Sequence, residues 1–424
     1  MKVLLVQSYL GGNEPPVFPL GLSCLKAALG AHAVRVHDLN LGAQPFAELA
    51  AAIDEFGPDV VGISLRNIDS TNKRKVVFYY PFLKETVDVV RRRTAARIVV
   101  GGSGFSMFAQ EIMADEPRID CGVFLEGEAA FPELLENLDA PERVRSVYYR
   151  RGGAVVFSGA REQVALDAVP LPDRGTLPAY DWRRHPDAVG VETKRGCVLD
   201  CVYCIYGFLN GKELRLRSPA RVVDEIEALV RDRGVGNITF VDSVFNIPRP
   251  HAEAVCREIL RRGLRVRWSA WFNERGLTRE FVELVRDAGC RNVILSPDAF
   301  SDEALRRLGK NIRVADIRAC HALLSGTKGI EVSYNFFKNP PGQTLAAALS
   351  LLAFAARANR ELGPRVHFEF SAMRVEPHTR LHEIALAEGQ VRPGESLLSP
   401  RYYANPGTRH VERLFDLLLA LKGG

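Results

Sequence analysis

The sequence predicts an α/β protein in two parts: a doubly wound parallel sheet over roughly the first 140 residues, then six βα units of an incomplete barrel. Three observations carry that expectation. Short apolar runs alternate with helix-length amphipathic segments from Val3 to Leu138. The same alternation resumes at Val189 and continues to Met373. The stretch between is rich in proline and has no strong periodicity. The 424-residue length suits two or three domains, and 47% apolar with 25% charged residues excludes disordered and fibrous classes.

Taken in order, Val3–Gln7 reads as an apolar strand, Leu20–Leu29 as a helix and Val34–His37 as a short strand ending at Asp38. Phe46–Phe56 is a helix, Asp59–Ser64 a buried strand and Tyr80–Arg93 a helix. Arg97–Val100 runs as a strand into the glycine-rich Gly101-Gly102-Ser103-Gly104, followed by a helix at Phe108–Ala114. Cys121–Leu125 is a strand before Glu126-Gly127-Glu128, and Phe131–Leu138 closes the unit. Parallel doubly wound sheets bind ligands beyond the C-terminal ends of their strands. Here those ends carry Ser64-Leu65-Arg66-Asn67, Gly101–Gly104 and Glu126–Glu128. Val147–Phe157 has the pattern of a hairpin turning at Gly152-Gly153. With the proline-rich run after it, residues 141–187 read as a linker.

From Val189, the strand VGVETK precedes a cysteine cluster, and Ser218-Pro219 starts a helix, with Ser218 as its cap. Strands follow at 237–242, 266–272, 292–296, 331–337 and 366–373, separated by helices at 250–262, 278–288, 301–308, 314–325 and 344–361. Six units are fewer than the eight of a closed barrel. Residues 386–424 hold one further helix, at Val411–Leu421, and form a short helical tail.

The formal charge of +5 is small, and the basic residues lie mostly on helical faces, which argues against a nucleic-acid stripe. No run approaches the ~18 consecutive apolar residues needed to span a bilayer. The N-terminus MKVLLVQSYLGG reads as a first strand and lacks a signal-peptide cleavage site, so the expected location is cytoplasmic. Five of the eight cysteines are scattered; Cys197, Cys201 and Cys204 fall within eight residues as C-x3-C-x2-C. In a reducing compartment, such a cluster points to a metal or to catalysis rather than to disulfides. Structural zinc closes four ligands, and no fourth Cys or His lies within ten residues; the next downstream are His251 and Cys256. Three thiolates suit a [4Fe–4S] cluster with one open iron.

The motif Cys197-Val-Leu-Asp-Cys201-Val-Tyr203-Cys204 after a first barrel strand resembles the signature of radical S-adenosylmethionine (SAM) enzymes. The likeness continues through Phe240-Val-Asp242-Ser-Val-Phe245-Asn246, Gly289 to Ser296-Pro297-Asp298 with Leu305–Lys310, Asn335 to Thr344, and Phe370 to Leu381. Pro297-Asp298 and Pro341-Gly342-Gln343 depart from the commoner patterns of the family. The N-terminal part resembles the cobalamin-binding domain often fused ahead of such barrels. Five ordered segments carry this likeness: KVLLVQ, Pro19-Leu20-Gly21-Leu22, Val36-His37-Asp38-Leu39-Asn40, Pro58–Ser64 and Ile98-Val-Val-Gly101-Gly102, with Glu126-Gly127-Glu128 as a variant turn.

Together these resemblances imply a Rossmann-like cobalamin-binding domain at 1–140, a hairpin linker at 141–187, a partial (β/α)6 radical SAM barrel at 188–385 and a tail at 386–424. They imply the family of class B radical SAM methyltransferases. In that family SAM chelates the open iron, reductive cleavage yields a 5′-deoxyadenosyl radical, and methylcobalamin delivers a methyl group to an unactivated carbon. Rearrangement, ring contraction or cyclisation with the same cofactors is the alternative, and a non-catalytic cluster or cobalamin sensor the second. Cys197, Cys201 and Cys204 are the implied cluster ligands. Tyr203 is implied beside the adenine, with Asp242, Ser296, Asp298 and Asn335 as SAM contacts. Leu20, Gly21, Ser64, Leu65, Arg66, Asn67, Gly101, Gly102, Ser103, Gly127 and Glu128 are the implied cobalamin contacts. Trp271, Asn273 and Arg275, on one face of the third barrel strand, are substrate candidates. The D-x-H-x-x-G lower axial histidine of methionine-synthase-type domains is missing: Asn40 stands where the histidine would be, and Ala43 where the glycine would be. No imidazole is therefore expected on cobalt, and Leu65 or Arg66 is expected over its lower face. The implied partners are a small-molecule or carrier-bound substrate and a reductant such as flavodoxin or ferredoxin.

Overall fold

The computed structural model describes residues 1–12 and 16–421, which form two units, Met1–Ala188 and Val189–Gly424. The first unit alternates β1 (Lys2–Gln7), α1 (Leu20–Ala28), β2 (Ala33–Asp38), α2 (Pro45–Phe56), β3 (Val60–Ser64) and α3 (Tyr80–Arg93). It continues with β4 (Arg97–Gly101), α4 (Ser103–Met107), α5 (Ala109–Asp115), β5 (Cys121–Val123), α6 (Gly127–Glu136), β6 (Val147–Arg151) and β7 (Ala154–Phe157). The sheet order is β2-β1-β3-β4-β5-β6-β7. The first five strands are parallel, as the buried apolar runs require. Val3, Leu5, Val60, Val99, Phe131 and Leu134 form part of the core under one face.

The hairpin expected as a linker is part of this sheet. β6 pairs antiparallel with β5 (Cys121↔Tyr149), and Gly152 and Gly153 turn at φ 56° and 84°, the left-handed pair that a tight hairpin turn needs. The proline-rich stretch beyond it is strapped to the same unit. Asp173 N–H donates to the Ser23 carbonyl at 3.1 Å, and Tyr180 Oη donates to Asp38 Oδ2 at 2.7 Å.

The second unit contains β8 (Gly190–Val191), β9 (Lys194–Arg195), α7 (Tyr206–Leu209), β10 (Arg215–Leu216), α8 (Pro219–Arg233), β11 (Asn237–Phe240), α9 (Arg249–Arg261) and β12 (Arg267–Phe272). After these come α10 (Arg279–Asp287), β13 (Cys290–Asp298), α11 (Asp302–Arg307), α12 (Val314–Ser325), β14 (Glu331–Phe337), α13 (Leu345–Leu362) and β15 (Val366–Ser371). The chain ends with β16 (Met373–Arg374), α14 (Arg380–Ala387), β17 (Tyr402–Tyr403) and α15 (Arg409–Leu421). Six strands make one parallel sheet in the order β15-β14-β13-β12-β11-β8, the incomplete barrel expected. The tail is more than a helix, because β17 pairs back on β16. Pro219 opens α8 as expected, but Ser218 makes no capping bond.

The two faces of the barrel sheet differ in chemistry. Phe240, Trp268 and Phe272 pack outward with Phe281 of α10, and Trp268 Nε1 donates to the Ala288 carbonyl at 2.8 Å. Tyr334, Phe336 and Phe368 pack on Phe354 of α13. The alternate residues form a polar inner face: Thr239 bonds Ser269, Asn292 bonds Ser333, and Asn335 bonds Ser296. Period-2 alternation thus puts the aromatic residues in the core and leaves hydroxyls and amides for the lumen. Among the described residues no helix is long and apolar enough to cross a membrane.

Candidate active site

In the first unit the strand order places the switch point between β1 and β3, where an open α/β sheet offers its crevice. Ser8 N–H bonds the Ser64 carbonyl at 3.1 Å, joining the two loops that leave it. The Ser8 hydroxyl is buried without a partner, and Gly11 and Gly12 follow at φ 76° and 66°. The sequence reading missed this first loop; its Gly11-Gly12 pair was the available signal. Across the crevice, the Ser64–Asn67 loop is welded to the start of α4. Leu65 N–H donates to Gly101 O at 2.9 Å, Gly104 N–H to Leu65 O at 2.9 Å, and Ser103 Oγ to Arg66 O at 2.8 Å.

This contact explains the glycines. A Cβ on Gly102, at φ 96°, would lie 2.7 Å from Leu65 O, and one on Gly104 would lie 2.9 Å from Asn67 C. Gly102→Ala is expected to cost about 1–3 kcal/mol through positive-φ strain and this clash, read in the first unit's denaturation midpoint. An unchanged midpoint would show that the loop yields freely.

Several of the residues implied as cobalamin contacts have structural roles of their own. Leu65 is fully buried in the protein, so of the two residues expected over the lower face only Arg66 remains partly exposed. The Ser103 hydroxyl is committed to Arg66 O. Gly127 admits Leu25, whose Cδ2 would lie 2.9 Å from an added Cβ. Gly21, by contrast, has open space where its side chain would be and lies at the exposed start of α1, next to half-buried Leu20. Glu128 sits in the first turn of α6. Asn40 accepts from Leu10 N–H at 2.8 Å and donates to the Ser8 carbonyl at 3.0 Å, so it latches the β1 loop. His37 lies inside edge strand β2, in register with Val6, and burial holds its imidazole below the usual range. The buried orphan hydroxyl of Ser8 and the bare Gly21 surface beside this crevice fit a large ligand at the strand ends.

In the second unit, the loop from Gly196 to Ile205 presents the three cysteines. Gly196 turns at φ 96° with the Glu213 carbonyl 1.9 Å from where a Cβ would sit. Cys197 N–H bonds Gly211 O at 3.1 Å, Val202 N–H bonds Leu308 O at 2.9 Å, and Leu381 N–H bonds Val202 O at 2.8 Å. The loop is therefore pinned by three distant segments. Cys197, Cys201 and Cys204 are half-buried, whereas the other five cysteines are buried. Burial pushes the Cys201 thiol up and the Cys204 thiol up to about 12, so without metal both are protonated and metal binding must displace their protons. Among the described residues no three His, Cys, Asp or Glu side chains form a group able to hold one metal ion. A cubane makes no such demand, since each thiolate takes a different iron. The donor set, soft, partly exposed and preorganised by its backbone, fits such a cluster.

Tyr203 Oη donates to Asp298 Oδ2 at 2.5 Å, and its ring meets Phe337 edge-on at 4.8 Å. Asp298, implied as a SAM contact, shares its Oδ2 between Tyr203 and Lys310. Asp242 is not available to a cofactor. It accepts from Thr193 N–H at 2.8 Å, Thr193 Oγ1 at 2.6 Å and Lys194 Nζ at 2.9 Å, and Lys194 also reaches Phe245 O at 3.0 Å. This clasp turns the chain between β8 and β9 and explains why VGVETK is two short strands. The rest of that motif is structural too: Phe240 and Phe245 stack at 4.9 Å, and Asn246 exchanges bonds with the Asn273 backbone.

Asn273 is 4% exposed, and its amide is committed to Asn311 Oδ1 at 2.9 Å, which removes it from the substrate candidates. β12 ends at Phe272, so the alternation that grouped Trp271, Asn273 and Arg275 stops before the last two. Trp271, 36% exposed, and the exposed Arg275 remain available, and Ser296 and Asn335 pair on the inner face at 3.3 Å.

The sequence reading missed Glu274, and it quoted Lys310 only as the end of a family-like segment, without a site role. Glu274 is 4% exposed, its Oε1 has no hydrogen-bond partner, and burial pushes its carboxyl up to about 7 against the pull of Lys310. A raised acid pKa gives stability that is full below the unfolded value near 4.5 and lost as pH rises through 7. Between pH 4.5 and 8 the metal-free wild type should therefore lose about 3 kcal/mol more than Glu274→Gln. Parallel pH profiles for the two in urea denaturation would refute this.

Residues 13–135 match the B12 binding domain, and residues 191–355 match the Radical SAM superfamily. The uncharacterized methyltransferase PH0819 of Pyrococcus horikoshii is 26% identical over 402 residues, covering 91% of this chain and 83% of that protein. Tryptophan 2-C-methyltransferase of Streptomyces laurentii is 26% identical over 400 residues, covering 78% of this chain and 66% of that protein. The radical S-adenosylmethionine methyltransferase TsrM from Kitasatospora setae, solved with tryptophan substrate and a SAM analog bound, superposes with a TM-score of 0.80. It is 25% identical and covers 93% of this chain and 77% of that one. With a crevice of the B12-binding type in its first unit and a three-cysteine loop on a six-stranded partial barrel in its second, the chain belongs to the cobalamin-binding radical SAM enzymes.

Proposed function

We propose that the protein methylates an unactivated carbon of a small-molecule or carrier-bound substrate, using a [4Fe–4S] cluster, SAM and cobalamin. The observation that carries this reading is the pinned loop with its three half-buried thiols, in a chain that also holds a B12-binding domain. The similar proteins named methyltransferases support methylation over rearrangement. When bound, the cluster supplies the electron that cleaves SAM, and cobalamin supplies a methyl carrier.

The chain's own residues hold and orient these groups. Cys197, Cys201 and Cys204 are the cluster ligands, and Tyr203 flanks the adenine. Ser296 and Asn335 offer polar contacts to SAM. Trp271 gives an apolar face to substrate, and Arg275 a guanidinium suited to a carboxylate. Ser8, Gly21, Ser64, Arg66 and Asn67 rim the cobalamin crevice. A flavodoxin or ferredoxin is the reductant, and the reducing cytoplasm is where exposed cluster thiols survive.

In this reading cobalt takes no imidazole from the end of β2, where Asn40 is a latch and His37 lies within the strand. The electron paramagnetic resonance spectrum of the cob(II)alamin-loaded protein should lack nitrogen superhyperfine coupling, and its presence would refute this arrangement. Methylation itself is tested by anaerobic incubation of the reconstituted protein with deuteromethyl-SAM and candidate substrates. Transfer of the labelled methyl to carbon is expected; a rearranged product without label would support the alternative chemistry.

A further inference from the structure

We propose that Lys310 sets both the shape and the charge of the cysteine loop: through Asp298 it holds Tyr203 in place, and its buried ammonium raises the reduction potential of the cluster. The inference rests on the reading of Cys197, Cys201 and Cys204 as cluster ligands.

Lys310 Nζ lies 2.6 Å from Asp298 Oδ2 and 2.6 Å from the Ser296 carbonyl, and Tyr203 donates to the same Asp298 oxygen at 2.5 Å. The ammonium is also 5.9 Å from the centre of the Tyr203 ring. Both ion-pair side chains are more than nine-tenths buried. Asp298 has a left-handed φ of 68° where the β13–β14 register shifts, a local kink that takes it out of the regular ladder. The backbone beside Lys310 grips the same loop. Leu308 O accepts from Val202 N–H, and Gly309 packs so closely that a Cβ would lie 2.3 Å from Asp200 O. One turn, residues 308–310, therefore holds residues 200–203 by side chain and backbone together.

The electrostatics run in the same direction. Burial works against the Lys310 charge, but the Asp298 carboxylate at 2.6 Å outweighs it and keeps the ammonium protonated. Tyr203 stands between Cys201 and Cys204 in the loop, so the ammonium against its ring is a buried positive charge beside the cysteines. One-electron reduction makes the cluster more negative by one charge. A cation held in low dielectric stabilises that reduced form more than the oxidised one, so the potential rises. A purely structural ion pair would hold the fold and leave the potential where it is.

The test is a redox titration, monitored by electron paramagnetic resonance, of the reconstituted wild type, Asp298→Asn, Lys310→Arg and the double variant Lys310→Met/Asp298→Asn. Asp298→Asn keeps the volume, the cation and an acceptor for Tyr203, so its potential should move positive. The double variant should sit negative of Asp298→Asn and lose cluster iron to a chelator several-fold faster than wild type. Lys310→Arg should stay near wild type. Coincident potentials for wild type and Asp298→Asn would overturn the proposal, and that comparison stands even where the double variant fails to fold. A wild-type protein that binds no iron or acid-labile sulfide would instead overturn the cluster reading beneath it.

Discussion

Cys201→Ala is expected to abolish reductive cleavage of SAM, taking 5′-deoxyadenosine formation below detection. Its thiol is the middle one of three, in a loop whose backbone is held from three sides. Apart from its two partners Cys197 and Cys204, every cysteine among the described residues is buried, so none is placed to replace it. Removing a ligand from a three-thiolate site leaves an iron without protein support, and no second-sphere contact can restore it. The fold should survive, because the Val202 bonds to Leu308 and Leu381 are backbone bonds that do not use this side chain. The expected result is near-wild-type thermal unfolding of the metal-free protein, with low iron after reconstitution and no 5′-deoxyadenosine. Retained SAM cleavage would remove the cluster from this loop.

Asp242→Ala should have the largest effect on stability, about 3–5 kcal/mol, the cost of leaving one partner of a buried ion pair unpaired. The Lys194 and Asp242 side chains are 2% and 0% exposed, so neither can turn to water. The substitution also takes away the acceptor of the Thr193 hydroxyl and that of the Thr193 backbone N–H. The effect is read in the second unit's denaturation midpoint. Replacing the pair together, Lys194→Met with Asp242→Leu, should recover much of the loss, since apolar groups of similar volume need no partner. A cost below about 1 kcal/mol for Asp242→Ala would mean that water reaches the clasp.

Both effects bear on what could be read without coordinates. The layer architecture and the cysteine loop were legible because each is local: alternation with period 2 or 3.6 reports burial, and C-x3-C-x2-C reports ligand spacing. What could not be read was the division of labour inside the motifs. Asp242 lies in a segment that resembles a cofactor-binding stretch, yet its partners are Thr193 and Lys194, 49 and 48 residues away. Tyr203 finds Asp298 across 95 residues. Asn273 was grouped with Trp271 by an alternation that had already ended with the strand. The hairpin at 147–157 was recognisable as a hairpin, but its docking on β5 depends on a pairing no local pattern encodes. Glu274 carried no signal, because an acid beyond a strand end is ordinarily solvated.

The central claim, methylation through cobalamin and radical SAM chemistry, is tested most directly by the fate of SAM. The protein, reconstituted anaerobically with iron, sulfide and cobalamin, is incubated with SAM, a low-potential reductant and candidate substrates, and the nucleoside products are quantified. S-adenosylhomocysteine and 5′-deoxyadenosine appearing together, both dependent on the cluster and the first also on cobalamin, is the expected result. 5′-Deoxyadenosine alone, accompanied by an unmethylated product, would contradict it.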